Sequence, residues 1–377
     1  MNNRAGHFVQ QPTGYKSFVP APLPPDPDVQ YDKELLKLLS DADRKLGRLD
    51  GITQILPNPE LFVAMYVKKE AVLSSQIEGT QASLVDVLDI GTEKSLEGDI
   101  TDVVNYVNAM EYGLKRLDQF PLSLRLIREI HSQLLCSGRG SERNPGEFRT
   151  SQNWIGPQGS TPQTAAFVPP AVPDMKIALS DWEKFMHKED DTPSLVKIAL
   201  LHAQFETIHP FLDGNGRIGR LLITFWLCHE KILSEPLLYL SYYFKKHRAE
   251  YYDRLMEIRV HGDWERWIKF FLKGISEVSD EATQSAKEII NLKEYCTSLL
   301  SGSSSAHLSL LDYLFESPVI SKSDLPDKIG VSYPTISSIV DYFNELGILI
   351  DTTPDKTRNK KFVFGKYIAI LNRGTEI

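Results

Sequence analysis

Two apolar segments of helical character, broken by a glycine-rich turn, constrain this chain more than any other stretch. Thr192 and Pro193 supply an N-cap and a first helical residue. Leu195, Ile198, Ala199, Leu201, Ala203 and Phe205 follow at mixed helical spacing up to Ile208. Beyond the turn, Leu221 to Leu227 is a run dominated by apolar residues, which predicts a buried helix. Helix, turn, helix is not a βαβ unit. That decides against dinucleotide binding, although Gly214-Asn215-Gly216-Arg217-Ile218-Gly219 formally fits G-x-G-x-x-G, because that pattern needs a preceding strand. No G-x-x-x-x-G-K-[ST] sequence occurs, which removes ordinary P-loop chemistry.

The turn itself, from His209 to Arg220, concentrates chemistry. Gly214 and Gly216 accept positive φ, and successive N–H groups in such a turn form an anion nest. A helix N-terminus directly after the nest adds free N–H groups and a dipole that favours phosphate. Arg217 and Arg220 lie three apart on one face of the first turn, placed to grip phosphate oxygens. Asp213 can hold Mg²⁺, which takes few protein carboxylates and fills its shell with phosphate and water. His209, at the end of the preceding helix, suits a general base toward a hydroxyl.

At every specified position this stretch resembles the Fic family signature, H-P-F-x-[DE]-G-N-G-R-x-x-R. The resemblance implies transfer of AMP from ATP to a protein hydroxyl with release of pyrophosphate. It implies that His209 is the base and that Asp213 binds Mg²⁺. The Gly214 to Gly216 backbone and Asn215 would hold phosphates, with Arg217 assisting and Arg220 at the terminal phosphate. Doc-type kinases of the family carry Lys where this chain has Gly216, so the resemblance favours AMP transfer over phosphate transfer.

Upstream, Phe62 to Glu78 has helical composition and Gly79 is a suitable stop. Ser74 and Glu78 are four apart on one face. A carboxylate at a helix C-terminus opposes the dipole and calls for a compensating cation. Ser74-Ser75-Gln76-Ile77-Glu78-Gly79 resembles the Fic inhibitory motif [ST]-x-x-x-E-[GN]. That resemblance implies a pairing of Glu78 with Arg220 that keeps ATP from its productive pose, in the N-terminal inhibitory class. It also leaves open removal of AMP, and transfer of UMP or phosphocholine.

The chain has 377 residues, 42% hydrophobic, as expected of two or three folded domains. A net charge of −8 argues against non-specific nucleic-acid binding by the whole chain. Cys136, Cys228 and Cys296 are scattered, without zinc spacing, and suit a reducing cytoplasm. Residues 1–11 lack the apolar core of a secretory signal, and no apolar stretch approaches the ~18 residues of a membrane span.

The expected organisation is a proline-rich extended arm (1–30), a helical region with the inhibitory helix (31–140), a Fic-type core (141–299), a linker (300–305) and a C-terminal domain (306–377). Within 31–140, helices are expected over Val103 to Leu117 and over Leu124 to Cys136, the latter capped by Ser123. The aromatic and β-branched stretches 147–156 and 167–170 suit a short hairpin. The family resemblance makes this, at about 152–170, a flap that docks an unidentified target protein by strand addition. Tyr251 and Tyr252, in an aromatic stripe, are candidates for stacking on adenine. Family habit implies a homodimer.

In the tail, Leu308 to Phe315, Lys322 to Ile329 and Thr335 to Leu346 read as helices, and Gly347 to Asp351 and Lys361 to Phe364 as strands. This order resembles a winged helix-turn-helix. Its recognition segment offers Ser332, Thr335, Ser337 and Ser338 but no Lys or Arg, whereas the wing carries Lys356, Arg358, Lys360 and Lys361. Residues 306–377 hold eight Lys and Arg against nine Asp and Glu, a net of −1. Phosphate neutralisation dominates DNA affinity, so protein docking is favoured over DNA. The fold class expected is therefore mainly α: a Fic-type helical core with a hairpin flap and a winged helix. The function expected is an autoinhibited adenylyltransferase. The alternative from another class is a transcriptional regulator that senses nucleotide, for which an intact base has no use.

Overall fold

A computed structural model of the chain describes residues 4–54, 56, 59–88, 98–356 and 360–373. Two strands come first, β1 (Gly6–Gln10) and β2 (Lys16–Pro20), and pair antiparallel from Gly6 opposite Pro20 to Gln10 opposite Lys16. The extended arm expected over 1–30 is thus a hairpin in its first half. Pro20 ends its second strand and Pro22, Pro24, Pro25 and Pro27 lie beyond it, while Phe18 is driven fully into the core, where its N–H donates to the Val168 carbonyl at 2.9 Å.

Helices α1 (Lys33–Thr53), α2 (Pro59–Ile77), α3 (Leu84–Leu88), α4 (Asp99–Leu117) and α5 (Leu124–Leu134) follow. Asp32 caps α1 through the Leu35 N–H and Ser123 caps α5 through the Leu126 N–H. The core then contributes α6 (Val172–Met186), α7 (Ser194–Ile208), α8 (Asn215–His229), α9 (Ser241–Lys246), α10 (Arg248–His261) and the long α11 (Trp264–Leu299). Every residue of α7 from Leu195 to Ile208 is buried, so the lack of a clean apolar stripe in its sequence reflects a helix covered on all sides. Its N-cap position is Pro193, one residue later than read from the sequence, without a side-chain cap.

Packing fixes the site. Helix α1 lies along α11, α2 packs on α4 and α9, and α7 packs on α8. Between α4 and α8 the backbones approach closely at Gly113, where a Cβ would stand 2.3 Å from the Phe225 ring.

The hairpin expected at 152–170 is reduced to one antiparallel bridge, Ile155 with Phe167, closed by hydrogen bonds of 2.8 and 3.1 Å. Prolines 157, 162, 169 and 170 lack the N–H a ladder needs. Hydrogen bonds within the loop replace it, among them Trp154 Nε1 to the Ser160 carbonyl at 2.8 Å.

After a break at 300–304 come α12 (Ser305–Glu316), β3 (Val319–Ser321), α13 (Leu325–Ile329), α14 (Tyr333–Glu345), β4 (Ile350–Asp351), β5 (Lys361–Val363) and α15 (Gly365–Asn372). The small sheet has the order β3-β5-β4, antiparallel throughout. Strand β3 and helix α15 escaped the sequence reading. The first is only three residues long, and the second lacks both a side-chain cap and a polar face strong enough to mark it. Arg358 of the wing lies outside the described residues.

Candidate active site

The loop between α7 and α8 carries the candidate residues, and its shape follows from its sequence. His209 closes α7 in the left-handed region (φ 48°, ψ 62°), its N–H still bonded to the Phe205 carbonyl at 2.9 Å. Gly214, at φ 76°, opens α8. Asn215 turns its side chain back on the loop. Its Oδ1 accepts from the Phe211 N–H at 2.8 Å and its Nδ2 donates to the Phe211 carbonyl at 2.9 Å. The side chain expected to meet phosphate thus shapes the turn. Asp213 is half-buried, accepts from the Gly214 N–H at 2.6 Å and lies 3.7 Å from the Arg217 guanidinium. Arg217 is buried, and its Nε finds no hydrogen-bond partner among the described residues.

Arg220 is buried at the base of α8. It donates from Nε to Ser74 Oγ at 2.8 Å, and from Nη2 both to the Ser74 carbonyl at 3.0 Å and to Glu78 Oε1 at 2.7 Å. Glu78 stands just past the end of α2, and Arg139 Nη1 donates to its carbonyl at 3.0 Å. The cation demanded by an acid at this helix end is therefore supplied twice, by Arg220 to the carboxylate and by Arg139 to the backbone. A Cβ on Gly216 would lie 2.3 Å from Glu78 Oε1. The carboxylate rests on Gly216, which lies inside α8 and, unlike Gly214, does not take positive φ, so the two-glycine nest expected from the sequence is not formed. Burial pushes the Glu78 carboxyl up, but pairing with Arg220 and the field of Arg217 outweigh it, leaving it below the ordinary value.

Burial, with the fields of Arg259 and Arg149, pulls the His209 imidazole down to about 3. The ring is neutral at pH 7, the form that accepts a proton, and its Nδ1 has no partner among the described residues. Tyr251 and Tyr252 lie near Arg220, whose guanidinium feels both hydroxyls. Tyr251 is buried, with Phe244 stacked on its ring at 4.5 Å and its hydroxyl 3.0 Å from His202 Nε2. Tyr252 is 40% exposed, with the Tyr251 ring 5.1 Å away and the Arg248 guanidinium 5.7 Å from its ring centroid.

Sequence reasoning missed the supports of this loop. His131 stacks on Phe211 with centroids 3.7 Å apart. Its Nδ1 accepts from the Gly146 N–H at 2.8 Å, so its Nε2 carries the proton donated to the Asp213 carbonyl at 3.0 Å. It lies on the buried face of α5 with Ile127, Ile130 and Leu134, where nothing in the sequence sets it apart. Glu206, Arg149 and Asn153 also surround His209, and nothing in their spacing announces it.

Among the described residues, no group of three or more His, Cys, Asp or Glu is placed to hold a metal ion. The loop itself supplies one carboxylate, Asp213, while Glu78 is paired with Arg220, a donor set that fits Mg²⁺ shared with phosphate and does not fit a dedicated metal cage.

Residues 36–115 match the model of the Fic/DOC family N-terminal region, and residues 121–227 match that of the Fic/DOC family. The chain belongs to the Fic family. The protein adenylyltransferase Fic of Aedes aegypti is 30% identical over 203 residues, 52% of this chain and 37% of that protein. That of Drosophila mojavensis is 28% identical over 246 residues, 62% of this chain and 44% of that protein. The chain thus spans well under half the length of these curated relatives. A Fic family protein from Desulfovibrio desulfuricans G20 shares the fold, with a TM-score of 0.57 at 20% identity over 89% of this chain and 97% of that one. The mainly helical, Fic-type fold expected from the sequence is the fold observed.

Proposed function

We propose that this Fic protein is a protein adenylyltransferase, held in check by its own Glu78. One observation carries the reading: a neutral imidazole, a helix N-terminus opened by Gly214 and a buried arginine share one loop, and the Glu78 carboxylate, paired with that arginine, already lies against Gly216. An anion seat that needs a resident anion when idle is a seat for phosphate.

In the proposed reaction ATP lays its phosphates over residues 214–220, with Arg217 and Arg220 as cationic contacts and Tyr252 beside the adenine, backed by Tyr251. An acceptor hydroxyl attacks the α-phosphorus. A new P–O bond forms, the bond to the β-phosphate oxygen breaks, pyrophosphate leaves, and the hydroxyl proton passes to His209. Asp213 would hold Mg²⁺, which supplies charge neutralisation at the phosphates. Catalysis is then mostly positioning and charge stabilisation. The 152–170 segment docks the target, and the polypeptide itself is a further acceptor. We extend the proposal to a homodimer, to a reducing, cytoplasmic setting suited to three free cysteines, and to a winged helix in residues 306–377. No described helix is long and apolar enough to cross a membrane.

Incubation with radiolabelled ATP tests the reading. Glu78→Gly is expected to raise self-labelling at least tenfold, and addition of His209→Ala to abolish it. Equal labelling of the native chain and Glu78→Gly would remove the brake. Label that survives loss of His209 would remove the base and favour a nucleotide sensor. Competition by UTP or CDP-choline separates transfer of UMP or phosphocholine from transfer of AMP.

A further inference from the structure

Arg149 is 2% exposed and has no carboxylate partner among the described residues. Burying an uncompensated charge is costly, so the guanidinium must be held by what it donates to. Its partners are all backbone carbonyls. Nε donates to His209 at 3.1 Å, Nη1 to Ser151 at 3.2 Å and Nη2 to Pro170 at 2.5 Å, while its own N–H donates to Pro210 at 2.9 Å. Ser151 and Pro170 are the two ends of the loop, which is bridged in its middle by the Ile155–Phe167 pair and near its ends by Gln152 Nε2 donating to the Pro169 carbonyl at 3.0 Å. His209 is a non-glycine residue in the left-handed region, a conformation that persists only when its surroundings enforce it. Asn153, from the same loop, gives its carbonyl a second donor at 3.0 Å and also bonds the Phe211 carbonyl at 2.9 Å.

We infer that Arg149 is a positioning residue for acceptor transfer, tying both ends of the 151–170 segment and the His209 backbone into one frame, with Asn153 as its second anchor. The inference rests on the proposed function for its consequence, since an acceptor docked on 151–170 must present its hydroxyl to His209 within hydrogen-bond reach. Displacement by about 1 Å at such a junction costs on the order of 100-fold in rate. Lysine cannot replace the frame, because its ammonium is a point charge whereas guanidinium reaches three carbonyls in a fixed plane.

The test uses the full chain carrying Glu78→Gly, with Arg149→Lys and Arg149→Met added singly. Expected for both are a dissociation constant for Mg–ATP within about twofold of the parent, a self-modification rate at saturating ATP lowered about 10- to 100-fold, and faster amide exchange in 151–170 and 209–211 with α8 still protected. An unchanged rate in both variants overturns the inference. So does a loss of ATP binding that parallels the loss of rate with exchange rising throughout α7 and α8, which marks a merely structural residue. If the Glu78→Gly parent transfers no AMP, the proposed function falls. The exchange measurement still decides Arg149, and unaltered protection at 151–170 refutes it.

Discussion

Glu206 sits one turn of α7 before His209, buried, its Oε1 without a hydrogen-bond partner among the described residues. Burial pushes its carboxyl up to about 7, against the fields of Arg220 and Arg259 and with that of Glu78. The ordinary value is 4.5, so between about 4.5 and 7 the folded protein keeps a proton that the unfolded chain has released. Stability therefore falls as pH rises through this window and levels off above it. Glu206→Gln should remove that slope. The expected gain is on the order of 1–3 kcal/mol at pH 8 and near zero at pH 4.5, read from denaturant melts at the two pH values. The same gain at both would place the slope elsewhere. Glu78 has the opposite sign. Its lowered value keeps the pair with Arg220 intact at neutral pH and gives it up only below the ordinary carboxylate range.

Helix α2 is locked to α8 by more than one contact, so the proposed brake should be graded. Ser74 is fully buried and accepts Arg220 Nε, and Glu78 takes Nη2. Ser74→Ala strips one acceptor from a buried guanidinium and leaves the carboxylate in place. Self-labelling should rise above the native level but stay below that of Glu78→Gly, and a rate at or under the native one would show that Ser74 plays no part. The α4–α8 contact tests packing instead. Gly113→Ala would push a methyl into the Phe225 ring, a cost of about 1–3 kcal/mol in thermal or denaturant unfolding. An unaltered melt would show that the ring gives way freely.

Across the whole molecule, the C-terminal unit is bound into the rest. Helix α15 packs on α11 and on α2, the helix that carries Ser74. Arg373 pairs with Glu288 at 2.7 Å, and Lys366 lies 5.1 Å from the Tyr295 ring centroid. Two of its basic residues are paired inside the unit: Lys322 with Asp341 at 2.6 Å and Lys360 with Asp351 at 2.7 Å. With a chain of net charge −8 behind it, this surface neutralises few phosphates. Duplex DNA of mixed sequence should show no mobility shift at micromolar protein in roughly physiological salt. A salt-dependent shift there would reverse the preference for a protein ligand.

The sequence by itself determined the helix–turn–helix around residues 209–220, because glycines, caps and an apolar run act over a few neighbouring residues. It also singled out the candidate groups for the proposed reaction, since a long signature leaves little freedom. The hairpin at 152–170 was legible only as composition, and its prolines reduced it to a single bridge. Tertiary structure alone decided that Glu78 would rest on Gly216 and that Arg149, His131 and Glu206 would converge on the loop. Those outcomes depend on contacts between residues as many as 142 positions apart. Local periodicity records which side of a helix is buried, but not which distant group it will meet.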